Sequence, residues 1–185
     1  MDNFDLKKFL VENKLTYNSK LNEETQEISP EAAASQATKA VSRLENDPAI
    51  QKAADAIAKN PEALKQLKNV LAGAGVNPAE LSENIDNTVV QKLALTMAKK
   101  SQEIAERFTE PDFSASPIIG LIGGGVLGKI IGSMGDVVHT AHEIIMGAPN
   151  PTHMPEIVLG AIAGAILAVI AQKVFNGIQD RNQDS

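Results

Sequence analysis

The chain has 185 residues, 43% of them hydrophobic, and a formal net charge of −6. That is enough apolar material for the core of one ordinary domain, and there is no basic surplus to neutralise a nucleic-acid backbone. With no cysteine, no tryptophan and a single tyrosine, Tyr17, disulfides, thiolate chemistry, cysteine metal sites and base-stacking platforms are all excluded.

Residues 1–28 read as a leader and linker. Leu6, Phe9 and Leu10 share one face of a short amphipathic helix over residues 3–13, with Lys7, Lys8 and Glu12 around the other. Acids at Asp2 and Asp5 and the lack of a continuous apolar run distinguish it from a secretory signal. Residues 14–28 are polar and aperiodic, as expected of a linker.

Residues 29–111 read as a soluble helical region. Ser29-Pro30, Asp47-Pro48, Asn60-Pro61 and Asn77-Pro78 each place a capping side chain before a proline. The cap oxygen accepts first-turn N–H groups, and proline at the first helical position has no N–H to leave unpaired. Helices are therefore expected near 30–45, 48–59, 61–72 and from 78, the last restarting at Asp86 and running to about Phe108. Gly73 and Gly75 stop the third. Val89, Leu93, Met97 and Ile104 form a stripe on the fourth. Starts at 47, 60 and 77 are unequally spaced, so no solenoid is inferred. The stretch NPEALKQLKNVLAGAGVNP is loosely similar to the helical repeats of chaperone-associated adaptors, but small helices packing on one another account for it better. The apolar positions are largely alanine, which buries little area per residue, so a loose bundle or one needing a partner is expected.

Residues 112–185 change character. They carry three of the 17 basic and six of the 23 acidic residues. Residues 113–135 contain one charge, Lys129, and residues 157–172 contain none. A membrane span takes roughly 20 mainly apolar residues. The first stretch has that length, and the second reaches it with Lys173 drawn to the headgroups. Gly120, Gly124, Gly128 and Gly132 recur every fourth residue, and Gly160, Gly164 and Ala168 form a matching row. In a helix such rows make smooth faces that admit a neighbouring backbone. A transmembrane-like hairpin packed through these faces is expected, and homo-oligomerisation through the same residues. Lys129 opposes this, since a lysine at mid-bilayer costs roughly 2.5–3.5 kcal/mol. It would have to reach an interface or line a polar interior. Lys99, Lys100 and Arg107 before the first stretch, and Lys173 and Arg181 closing the second, place both termini in the cytoplasm by the positive-inside rule.

Few catalytic motifs come close. The run GLIGGGVLGK misses the phosphate-loop frame because Ile130 stands where serine or threonine should follow the lysine. Asp136, His139 and Glu143 fall at i, i+3 and i+7, with His142, His153 and Glu156 nearby. They outline a metal-ligand set. Packing by Val137, Val138, Ala141, Ile144 and Ile145, with the polar residues facing water, explains the same pattern better. Neither an enzyme nor a cofactor is expected.

The opening DNFDLKKFLVENKLTYNSKL, above all the residues FDLKKFLVENKLT, resembles the head of many small proteins of tailed bacteriophages, marine ones especially. It covers about 20 residues. The resemblance implies a virion-packaged protein, with Leu6, Phe9 and Leu10 as the contact face for a capsid or scaffold protein; docking on this chain's own bundle is the alternative. The GxxxG rows separately resemble glycine-zipper segments of membrane-inserting proteins. Together these give an all-α, non-enzymatic phage protein whose hairpin enters the host inner membrane, or which resides in the virion interior. Its partners would be a lipid bilayer and copies of itself. The alternatives are a holin-like lysis protein and a soluble virion component with the hairpin buried between subunits.

Overall fold

A computed structural model describes residues 28–78, 81, 87–107, 124–146 and 156–183, without the side chains of 105–107, 146 and 180–183. All described secondary structure is helical: α1 (Pro30–Leu44), α2 (Pro48–Ala58), α3 (Pro61–Gly73), α4 (Asn87–Arg107), α5 (Gly125–Gly132), α6 (Gly135–Met146) and α7 (Glu156–Gln183). The leader face Leu6, Phe9 and Leu10 and the first zipper glycine, Gly120, lie outside the described residues.

The first three helices begin where the Xaa-Pro pairs place them. The Ser29 hydroxyl accepts from the Ala32 amide at 3.2 Å, the Asp47 carboxylate from Ala49 at 2.7 Å, and the Asn60 carbonyl from Glu62 and Ala63 at 3.0 and 3.1 Å. Each bond satisfies a first-turn donor, and a cap of this kind contributes about 1 kcal/mol. At the end of α3, Gly75 turns the chain at φ +68° and the Val76 amide reaches back to the Leu71 carbonyl at 2.9 Å. Glycine adopts that conformation without the penalty a Cβ brings.

The centre of the fold is α7, 28 residues long. Every residue from 158 to 172 is buried. A helix that is apolar on all sides must be surrounded on all sides, by protein or by lipid, and here protein does it. The most extensive neighbour is α4, and α1, α2 and α6 pack on the remaining flanks. One core runs through both the charged front of the chain and its apolar back: Ala33, Leu44, Ile50, Ile57, Leu67, Leu93, Met97, Ile162 and Ile166 belong to the same cluster.

The first apolar stretch departs from the expected long helix. Gly124 and Gly125 both have φ +70°, which a continuing right-handed helix does not permit. The helix that follows, α5, has only 8 residues and ends at Gly132. After Ser133 and Met134 the chain restarts as α6. Among the described residues of the glycine period, Gly124 therefore stands before the helix, and Gly128 and Gly132 lie on α5. Helix α5 packs against α3 and α2.

Candidate functional site

The distinctive feature of the molecule is a helix of membrane length enclosed by other helices. The stretch Glu156–Gln179 is apolar enough to cross a bilayer by length and composition, and 89% of its most apolar window is buried inside the protein. At 1.5 Å per residue it spans about 36 Å, against a hydrocarbon thickness of about 30 Å.

Two glycines determine how closely it is held. A Cβ on Gly160 would lie 2.5 Å from the Met97 carbonyl oxygen, 2.7 Å from the Ser101 Cβ and 2.9 Å from the Ala98 Cα. One on Gly164 would lie 2.5 Å from both the Leu93 carbonyl oxygen and the Ala94 Cα. The two helices run antiparallel, with Gly160 against Ala98 and Ser101 and Gly164 against Ala94. Small residues on both sides let the backbones touch, so the contact is made by main chain. Ala168, one step further along the row, is 2% exposed. The row of the second segment thus packs as a small-residue face, and its partner is α4 rather than a first-segment glycine row. Of those first-segment glycines, Gly128 is buried in α5, Gly132 is half-buried at its end and Gly124 stands at its N-cap.

Two side-chain hydrogen bonds join helices around this contact, one to α7 and one between α3 and α5. The Ser101 hydroxyl donates to the Glu156 carbonyl at 2.6 Å, joining α4 to the first residue of α7. Gly124 has no side chain with which to cap α5. The Gln66 carbonyl oxygen on α3 replaces it, accepting from the Leu127 amide at 2.9 Å. That amide is a third-position donor, the kind an N-cap side chain ordinarily satisfies.

The alanines of the front helices acquire a role. Ala33, Ala34, Ala37 and Ala40 are part of the buried face of α1, with Val41 and Leu44, and Ala53 and Ala54 part of that of α2. Both helices lie on α7. Short side chains let several helices approach one central helix, which is geometry rather than looseness.

Charges stay outside. Lys129 is exposed on α5, and Glu156 is exposed at the start of α7, while Lys173 is half-buried near the far end. Lys99 pairs with Glu31 at 3.1 Å across α4 and α1. The Glu31 carboxyl sits below its ordinary pKa, held there by a backbone N–H in the first turn of α1 and then by the Lys99 ammonium.

Asp136, His139 and Glu143 lie together on the exposed face of α6. His139 Nδ1 is 3.6 Å from Glu143 Oε1. Among the described residues no group of three or more His, Asp or Glu side chains is arranged to hold a metal ion.

His142 is the residue whose place was not anticipated. It is 0% exposed, and among the described residues neither Nδ1 nor Nε2 has a hydrogen-bond partner. Burial lowers its pKa below the ordinary histidine value; the His139 imidazole adds to that and the Glu143 carboxylate opposes it. The signal was present in the pattern. Met134, Val138, Ala141, His142 and Ile145 occupy one helical stripe, so His142 stands on the apolar face beside Val138 and Ala141, both buried.

No protein-family model, curated protein or solved structure matches the chain.

Proposed function

We propose that this chain is a non-enzymatic, membrane-active protein that carries its inserting helix sheathed in a water-compatible bundle. The observation behind this reading is the pairing of membrane length with near-complete enclosure in α7. Insertion runs through α7, the one helix among the described residues long and apolar enough to cross a bilayer. Release of α4 from α7 uncovers the row Gly160, Gly164 and Ala168. In a bilayer that face joins copies of the protein, since close backbone approach is what drives helix association among lipid tails. The phage-like opening of the chain fits a virion-packaged component that helps a genome cross the host envelope; a holin-like role is the alternative within the same class.

Co-flotation tests the reading. The full chain is mixed with phosphatidylethanolamine–phosphatidylglycerol vesicles and centrifuged through a density step, with and without mild destabilisation by urea. Recovery in the lipid layer, resistant to alkaline carbonate, supports membrane activity. Mass spectrometry of purified virions then separates packaging from a lysis role.

A second reading has its own observation. The fit of Gly160 and Gly164 to the α4 backbone is as close as that of a permanent core. It favours a soluble structural or interaction protein in which α7 never leaves the bundle. Failure to float under every condition would decide for it.

A further inference from the structure

Among the described residues the sheath has an internal defect in α6. This helix has 12 residues and covers α7 and α1. Its buried face is Val137, Val138, Ala141 and His142. Three of these suit an apolar interface and the fourth does not. An imidazole enclosed with neither nitrogen partnered among the described residues forfeits the hydrogen bonds that water would give it. It is tolerated there while neutral. A protonated ring brings two N–H donors and a full charge into a space without an acceptor, which is far less favourable.

We propose that His142 is an acid-sensitive latch: its protonation detaches α6 from α1 and α7 and uncovers one flank of the apolar helix. The use of that exposed flank rests on the membrane-active reading above; the latch itself does not.

The surroundings offer the protonated ring little compensation. On its own helix Asp136, His139 and Glu143 are all exposed, and Glu143 is placed toward His139 at 3.6 Å. On α1 the charged residues Glu31, Lys39 and Arg43 are exposed, and Glu31 is committed to Lys99. Glu45, half-buried, follows the end of α1. On α7 the charged residues with described side chains are Glu156, exposed, and Lys173, half-buried. The ring's preference for the neutral form comes first from burial, then from the His139 imidazole, with the Glu143 carboxylate opposing.

The direction with pH follows from linkage. His142 binds a proton less readily in the folded chain than in the unfolded one. Its contribution is whole above the unfolded value of about 6.5 and is lost as pH falls from there toward the lower folded value. One such group changes the folding equilibrium by up to about tenfold for each pH unit in that window.

The test is urea unfolding of the full chain from about pH 7.5 to about pH 5.5, for the native sequence, His142→Leu and His139→Gln. The expected result is a fall in the folding equilibrium of up to about tenfold in the native chain and in His139→Gln, and a flat profile for His142→Leu. Should His142→Leu fail to fold, proton NMR of the native chain replaces it: the buried imidazole should titrate below its ordinary range, together with loss of α6 signals. A flat native profile, an unchanged slope in His142→Leu, or an imidazole titrating normally with α6 intact would each overturn the latch. Flotation with the same vesicles at both pH values separates the two claims. A His142-dependent loss of stability without lipid binding at either pH upholds the latch and rejects the membrane reading. Lipid binding equal at both pH values and indifferent to His142→Leu keeps the membrane reading and rejects the use of the latch in it.

Discussion

A side chain on Gly164 would have to occupy the space of the Ala94 backbone, since its Cβ would fall 2.5 Å from the Ala94 Cα and 2.6 Å from the Ala94 nitrogen. The obstacle is main chain, which cannot rotate aside as a flexible side chain does. Gly164→Ala or Gly160→Ala should therefore push α4 and α7 apart and destabilise the fold by about 1–3 kcal/mol, the usual range for overpacking, despite the helix propensity that alanine adds. Gly164→Leu should cost more. Urea denaturation at neutral pH measures both.

Gly177 provides the control on the same helix. Among the described residues nothing lies within 4 Å of a Cβ built there, so Gly177→Ala should raise stability, by up to about 1 kcal/mol, through propensity alone. Opposite signs for Gly160→Ala and Gly177→Ala in thermal melts would separate helix approach from the general effect of removing glycine.

The Gln66 cap predicts a local effect. Gln66→Ala leaves the Leu127 amide without its acceptor, at a cost of about 0.5–2 kcal/mol. Amide exchange should quicken in α5 more than in α2 or α4, because α5 has no side-chain cap of its own.

Ser101→Ala removes the hydroxyl that ties α4 to Glu156. Ser101 is 3% exposed, and a single hydrogen bond of this kind contributes about 0.5–1.5 kcal/mol. Ser101→Gly should cost no less, since it adds glycine's backbone entropy to the same lost bond. Calorimetric melting of the two variants checks the order.

The helix starts at Pro30, Pro48 and Pro61 were readable because capping is local: the donor, the acceptor and the ring that fixes φ lie within four residues. The apolar character of α7 was equally plain. What covers it was not, because hydrocarbon and a ring of alanine-rich helices make the same demand on the helix they surround. The glycine rows show the same limit. Gly160 and Gly164 announced a close backbone approach, but a period of four names no partner, and α4 met them with Ala94, Ala98 and Ser101. A glycine every fourth residue suggests a face, whereas glycine's tolerance of φ +70° at Gly124 and Gly125 makes a break there. His142 reads in sequence with its charged neighbours His139 and Glu143, although its stripe mates are the buried Val138 and Ala141.

The most direct test of the sheathed-helix account is protease protection at the membrane. The full chain is bound to anionic vesicles, extracted with alkaline carbonate, digested with proteinase K and analysed by mass spectrometry. The account predicts a surviving lipid-associated peptide spanning Glu156–Gln179, absent when vesicles are omitted. Complete digestion of that segment in the presence of vesicles, or its release into the carbonate supernatant, would contradict it.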